Sequence, residues 1–188
     1  MRRKNAVRRA YIGAAAVVFL LATGCDSSGD DKSAKPTASA TQSKEQEERA
    51  AAESAALAAY RGMWDAQVEA YASGSMKNAK LGDYTTGSAT TKIINTSAYY
   101  QHKGFAITGK PKLAPKVTAV DIESASHTAT ISDCVDLTDY VLVRRATGEP
   151  VTVDKGDSRR PWTAKAVTAK GGREWRIADY TIHKDRTC

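Results

Sequence analysis

Residues 129–140, ATISDCVDLTDY, set an aspartate beside a cysteine in a run that alternates apolar and polar side chains. A period of two is the mark of a strand. It puts Ala129, Ile131, Asp133 and Val135 on one face, and Thr130, Ser132, Cys134 and Asp136 on the other. The first set is the more apolar and should face a core, which carries Asp133 inward. A carboxylate in apolar surroundings holds its proton to higher pH and can serve as a general acid or base. The same placement suits a structural carboxylate that accepts hydrogen bonds from a turn amide or a tyrosine. Cys134 has three chemistries open to it: nucleophile, metal ligand, or half of a disulfide. A structural zinc site takes about four Cys or His ligands at short spacing. The histidines here, His102, His127 and His183, are isolated from one another, and no C-x-x-C pair is present for thiol exchange. No local histidine activates Cys134 as a nucleophile. We expect no metal and no other cofactor. Trp64, Tyr99 and Tyr100 are candidates to line the space into which Asp133 points. Arg159, Arg160 and Trp162 would offer a cationic and aromatic surface to a partner, although an exposed strand start accounts for them equally well.

These side chains need elements to hold them. Residues 45–72 are strong helix formers, with Leu57, Tyr60, Trp64, Val68 and Tyr71 at spacings of three and four and Gly74 as a stop. An aromatic stripe at that spacing packs a core. A second helix is expected over 88–103, ending at Gly104, with Ala89, Ile93 and Tyr100 on one face. From Phe105 onward the pattern becomes β: FAITG, KVTAVDIES, HTATISDCVD, YVLVRRATG, EPVTVD, WTAKAVTAKGG and REWRIADYTIH alternate and are punctuated by Gly, Pro and Asp. ATGEP and KGGRE read as hairpin turns. Helices first and an antiparallel meander afterwards is the α+β order, in which helices cover one face of a sheet.

The N-terminus carries a different message. MRRKNAVRRA has five basic residues and no acid, and YIGAAAVVFLLATG follows it up to Cys25. A basic segment ahead of about 14 apolar or small residues is a secretory signal, too short for the ~20 of a permanent span. LLATGC, residues 20–25, resembles the lipobox of bacterial lipoproteins, with Ala22 where leucine is commonest. The resemblance implies cleavage after Gly24 and acylation of Cys25, hence a lipid anchor on the outer face of the cell membrane. RRAYI at residues 8–12 also looks like a twin-arginine export signal. Removing residues 1–24 takes 28 basic residues to 23 against 21 acidic ones, so a net charge of +7 falls to +2. That leaves no electrostatic footprint for nucleic acid. Residues 25–44, rich in Ser, Thr, Asp and Lys, read as a flexible tether with a reach on the order of 25 Å. With Cys25 assigned to lipid, Cys134 and Cys188 remain as a pair in an oxidising compartment, which favours a disulfide between them.

The single domain expected over 45–188 resembles the nuclear transport factor 2-like, or cone-fold, SnoaL-like domains of small secreted actinobacterial lipoproteins. The Tyr and Trp helix, GKPKLAPKV, TATISDCVD, ATGEPV, RRPWTAKAV and the closing REWRIADYTI before a terminal cysteine carry the likeness. It implies a strongly curved antiparallel sheet wrapped around helices, with a conical cavity. No catalytic motif is among those residues, and the fold hosts many activities. The first expectation is therefore a non-catalytic module that binds a small apolar ligand or an envelope protein. The alternative is a small cavity enzyme of isomerase, dehydratase or hydrolase type using Asp133.

Overall fold

The computed structural model describes residues 37–152, 157–169 and 173–188. The signal segment, Cys25, the first part of the tether and the tip of the KGGRE turn lie outside those residues. Three helices, α1 (Thr37–Ser73), α2 (Leu81–Tyr84) and α3 (Gly87–Lys103), precede six strands. The strands are β1 (Phe105–Thr108), β2 (Lys116–Asp121), β3 (Thr128–Asp136), β4 (Val141–Arg144), β5 (Arg159–Thr168) and β6 (Trp175–Ile182). All pairings between them are antiparallel, so the fold is α+β.

The stripe on α1 does pack the core. Tyr60, Met63, Trp64 and Tyr71 are buried, with Ala52, Ala56, Ala59, Ala66 and Ala70 filling the rest of that face, while Leu57 and Val68 are half-buried. The helix begins at Thr37 rather than Glu45, and Lys44 there reaches Glu48 one turn on at 3.7 Å. α3 ends where its glycine predicts: Gly104 has φ +68° and its N–H returns to the carbonyls of Gln101 and Tyr100. Its inward residues are Ala89, Ile93 and Ser97, with Tyr100 half-buried at the edge.

A single strongly curved meander was expected, and two sheets form instead: β2-β3-β5-β6, and a separate β1-β4 pair. The division begins just after β3. The Asp136 carboxylate accepts from the Thr138 N–H at 2.9 Å and the Tyr140 N–H closes on the Leu137 carbonyl at 3.1 Å, turning the chain off the sheet. β4 then pairs with β1, Val143 opposite Ala106, and the chain returns to lay β5 along the whole of β3. ATGEP does form a turn, with the Arg144 N–H bonded to the Glu149 carbonyl at 2.8 Å. EPVTVD makes no strand in its described part, only a bridge from Pro150 to Val143.

One irregularity decides which side chains reach the core. Along β5 and β6 the pairs run Lys165 with Asp179 and Ala166 with Ile177, so Ala178 is an extra, bulged residue. Strict alternation would place Asp179 inward with Trp175 and Ile177. The bulge places Tyr180 inward and leaves Asp179 outside, 2.6 Å from the Lys92 ammonium of α3.

Candidate functional site

Asp133 sits on the inner face of β3 with 4% of its surface exposed, opposite Trp162 of β5. Its Oδ1 accepts the Ala114 backbone N–H at 2.8 Å. Its Oδ2 makes no well-formed hydrogen bond, although the Tyr60 hydroxyl lies close enough to favour the anion, and the nearby Trp64 Nε1 and Trp162 Nε1 are unpaired. Burial pushes the Asp133 carboxyl above its usual range, against the Ala114 N–H, the Tyr60 hydroxyl, the Arg61 charge and the Cys134 N–H, which all favour the anion. Burial, and then the negative charge of Asp133, push the Tyr60 hydroxyl well above the ordinary phenol range. Trp64 and Trp162 close the space, their rings 4.7 Å apart between centroids, and Tyr180 stacks beyond Trp162 at 5.3 Å. Asp133 is thus a buried carboxylate with one oxygen beside the Tyr60 hydroxyl among aromatic rings, and none of the described clefts is lined by it.

Among the clefts of the described residues, one adjoins these rings through Tyr140. This cleft, of about 390 Å³, is floored by Tyr100, Ile107, Leu137, Tyr140 and Leu142. Asp157, Ser158, Arg160 and Lys184 form its polar side. The volume falls within the roughly 300–1,000 Å³ of small-molecule sites. Tyr140 links floor to core: its hydroxyl accepts from Gln67 Nε2 at 3.4 Å and its ring meets Trp64 edge-on at 6.2 Å. The start of β5, with the residues just before it, supplies most of the polar wall, and the C-terminal segment adds Lys184. His183 N–H bonds the Pro161 carbonyl at 3.0 Å, Arg160 Nη1 donates to the Lys184 carbonyl at 2.6 Å, and the chain goes on to the Cys134–Cys188 disulfide.

The predicted residues are therefore distributed, not gathered. Cys134 faces outward, as alternation requires, and is bonded to Cys188. Trp64 is buried at 2% exposure beside Asp133 and lines none of the described clefts. Tyr100 lines the cleft, whereas Tyr99 is 53% exposed and does not, because the next helical position points about 100° away. The surface reading of Trp162 is overturned: it is 4% exposed, since on β5 it shares the inward phase of Ala164 and Ala166. Arg159 is exposed, with Nη2 3.6 Å from the Cys134 sulfur. Arg160 is half-buried and helps hold the C-terminal segment. Sequence reasoning missed Tyr60, Tyr140, Leu142 and Lys184 as site residues. For Tyr60 a signal existed, since it lies one turn before Trp64 on the same stripe. Among the described residues no cluster of three or more His, Cys, Asp or Glu is placed to hold a metal, and no helix is long and apolar enough to cross a membrane.

No family model matches the chain, and no curated protein matches it. Among solved structures, the intermembrane space region of the chloroplast protein ARC6 is similar at 12% identity and a TM-score of 0.42, covering 69% of this chain and 95% of that one. That likeness is too loose to carry fold or function across.

Proposed function

We propose that this protein is a lipoprotein of the extracytoplasmic membrane face, acylated on Cys25, whose α+β domain is a non-catalytic binding module. The observation that supports binding is the cleft, which sets an apolar aromatic floor against a charged wall. The fold belongs, in this reading, to the cone-fold type, supported by the order of helices before an antiparallel sheet whose inner face they cover. The occupant is a small apolar or amphipathic molecule presented at the membrane.

A second reading, a cavity enzyme using Asp133, draws support from an Oδ2 that makes no well-formed hydrogen bond and from the raised carboxyl pKa. Against it stands access: a general acid or base must come within hydrogen-bond reach of a substrate proton, and Trp64 and Trp162 fill the approach.

Both halves of the first reading are tested on one pair of proteins. The wild-type chain should incorporate labelled palmitate and sediment with membranes, and Cys25→Ser should do neither. A neutral single-chain amphiphile such as decanol should raise the melting temperature of both, because a ligand bound only to the folded state stabilises it by mass action. An unlabelled wild type would sink the anchor, and an unshifted melting curve would sink the module.

A further inference from the structure

The cleft has two chemically different ends. Tyr100, Ile107, Leu137, Tyr140 and Leu142 supply a continuous apolar surface, and Arg160 and Lys184 bring two cations to one side. Among the described lining residues Asp157 is the one carboxylate, and its Oδ1 is engaged in accepting the Arg159 N–H at 3.0 Å. Arg160 is tied to the C-terminal segment through the Lys184 carbonyl. Lys184 is different: its backbone is pinned by that bond and by the neighbouring His183 N–H to Pro161 carbonyl bond, while its exposed ammonium makes no ion pair among the described residues. Lys44, Lys92, Lys110 and Lys112 each reach a carboxylate, and the other described lysines without an ion pair, Lys77, Lys80, Lys103, Lys116 and Lys165, do not line this cleft. A cation on a pinned backbone, with no counterion among the described residues and on the edge of an apolar cleft, matches a ligand with an anionic head and a single hydrocarbon tail.

Resting on the binding-module reading, we propose that the cleft takes a free fatty carboxylate, its tail on the Tyr140 and Leu142 floor and its head group at Lys184. The disulfide from Cys188 to Cys134 completes the arrangement. It ties the segment carrying Lys184 to β3, across the start of β5, so the backbone that presents the cation is restrained by a covalent link as well as by its hydrogen bonds. Lys184 is a specificity residue in this scheme, and the apolar floor supplies most of the affinity. An exposed ion pair contributes roughly 0.2–1 kcal/mol, which corresponds to a change of up to about five-fold in Kd.

The test is calorimetric titration of the full chain in phosphatidylcholine nanodiscs, with empty discs as the blank, using decanoate and decanol. Wild type should bind decanoate more tightly than decanol, and the preference should shrink as salt is raised. Lys184→Gln should weaken decanoate about three- to five-fold and leave decanol unchanged, and Lys184→Arg should restore the preference. An equal response to the two ligands, or a Lys184→Gln variant with unaltered decanoate binding, overturns the carboxylate proposal while leaving the module intact. Binding of neither ligand overturns both. If discs of phosphatidylglycerol abolish the decanoate response, the site takes a lipid head group and the free-acid proposal fails.

Discussion

At the scale of single residues, Asp133 carries the sharpest expectation. Burial raises its folded pKa above the ordinary value of 3.8, so the folded state holds this proton more tightly than the unfolded chain does. The group therefore costs nothing below pH 3.8; its cost grows as pH rises towards the raised value and is fully present above it. Asp133→Asn keeps an acceptor for the Ala114 N–H and removes the buried charge. Its stability at pH 7 should equal or exceed that of wild type, and urea titrations should show a flatter stability curve above pH 3.8. Asp133→Ala strands the Ala114 N–H and should lose about 1 kcal/mol or more. A wild-type slope retained in Asp133→Asn would assign the effect to another group. The inward direction of Asp133 was legible because alternation is local. Trp64 was named as its companion from the aromatic stripe, but Tyr60 and Trp162 were not, because they arrive from distant elements.

At the scale of elements, helix α1 meets α2 through a missing side chain. A Cβ on Gly62 would collide with the ring of Tyr84, striking Cγ, Cδ1 and Cε1. Gly62→Ala should gain up to about 1 kcal/mol of helix propensity yet lose about 1–3 kcal/mol to overpacking, a net drop in the denaturation midpoint. In a Tyr84→Ala background the sign should reverse, with alanine at 62 stabilising. An effect of Gly62→Ala identical in both backgrounds would show that the ring is not the cause. The two long helices were readable, though α2 was not: the stripe through Tyr60 and Trp64, and the stops at Gly74 and Gly104, rest on spacing and capping. The strands were readable as strands, but their partners were not. Nothing in YVLVRRATG says that it leaves the main sheet for FAITG, and the bulge at Ala178 that turns Tyr180 inward breaks the very alternation used to find the strand.

At the scale of the whole molecule, the Cys134–Cys188 bond closes a loop of 54 residues that includes β4, β5 and β6. Closing such a loop restricts the unfolded chain and should contribute about 2–4 kcal/mol. Reduction, or Cys134→Ser, should lower the melting temperature accordingly and speed amide exchange in the segment after Ile182. A protein equally stable with both thiols free would show that the hydrogen bonds of His183 and Lys184 hold that segment unaided.

What the sequence determined by itself follows from short-range rules. Periodicity separated helices from strands, a count of cysteines proposed the disulfide pair, and alternation turned Asp133 inward and Cys134 outward. The tertiary structure decided everything that depends on distant segments meeting. It sealed Asp133 behind Trp64 and Trp162, moved Trp162 from a supposed surface into the core, split the strands into two sheets, and built an open cleft from Tyr100, Tyr140, Leu142 and Lys184. Those residues come from a helix, a turn, a strand and the chain terminus. Their proximity depends on which strand edges pair and how side chains fill the core, and neither is written in any one stretch of the chain.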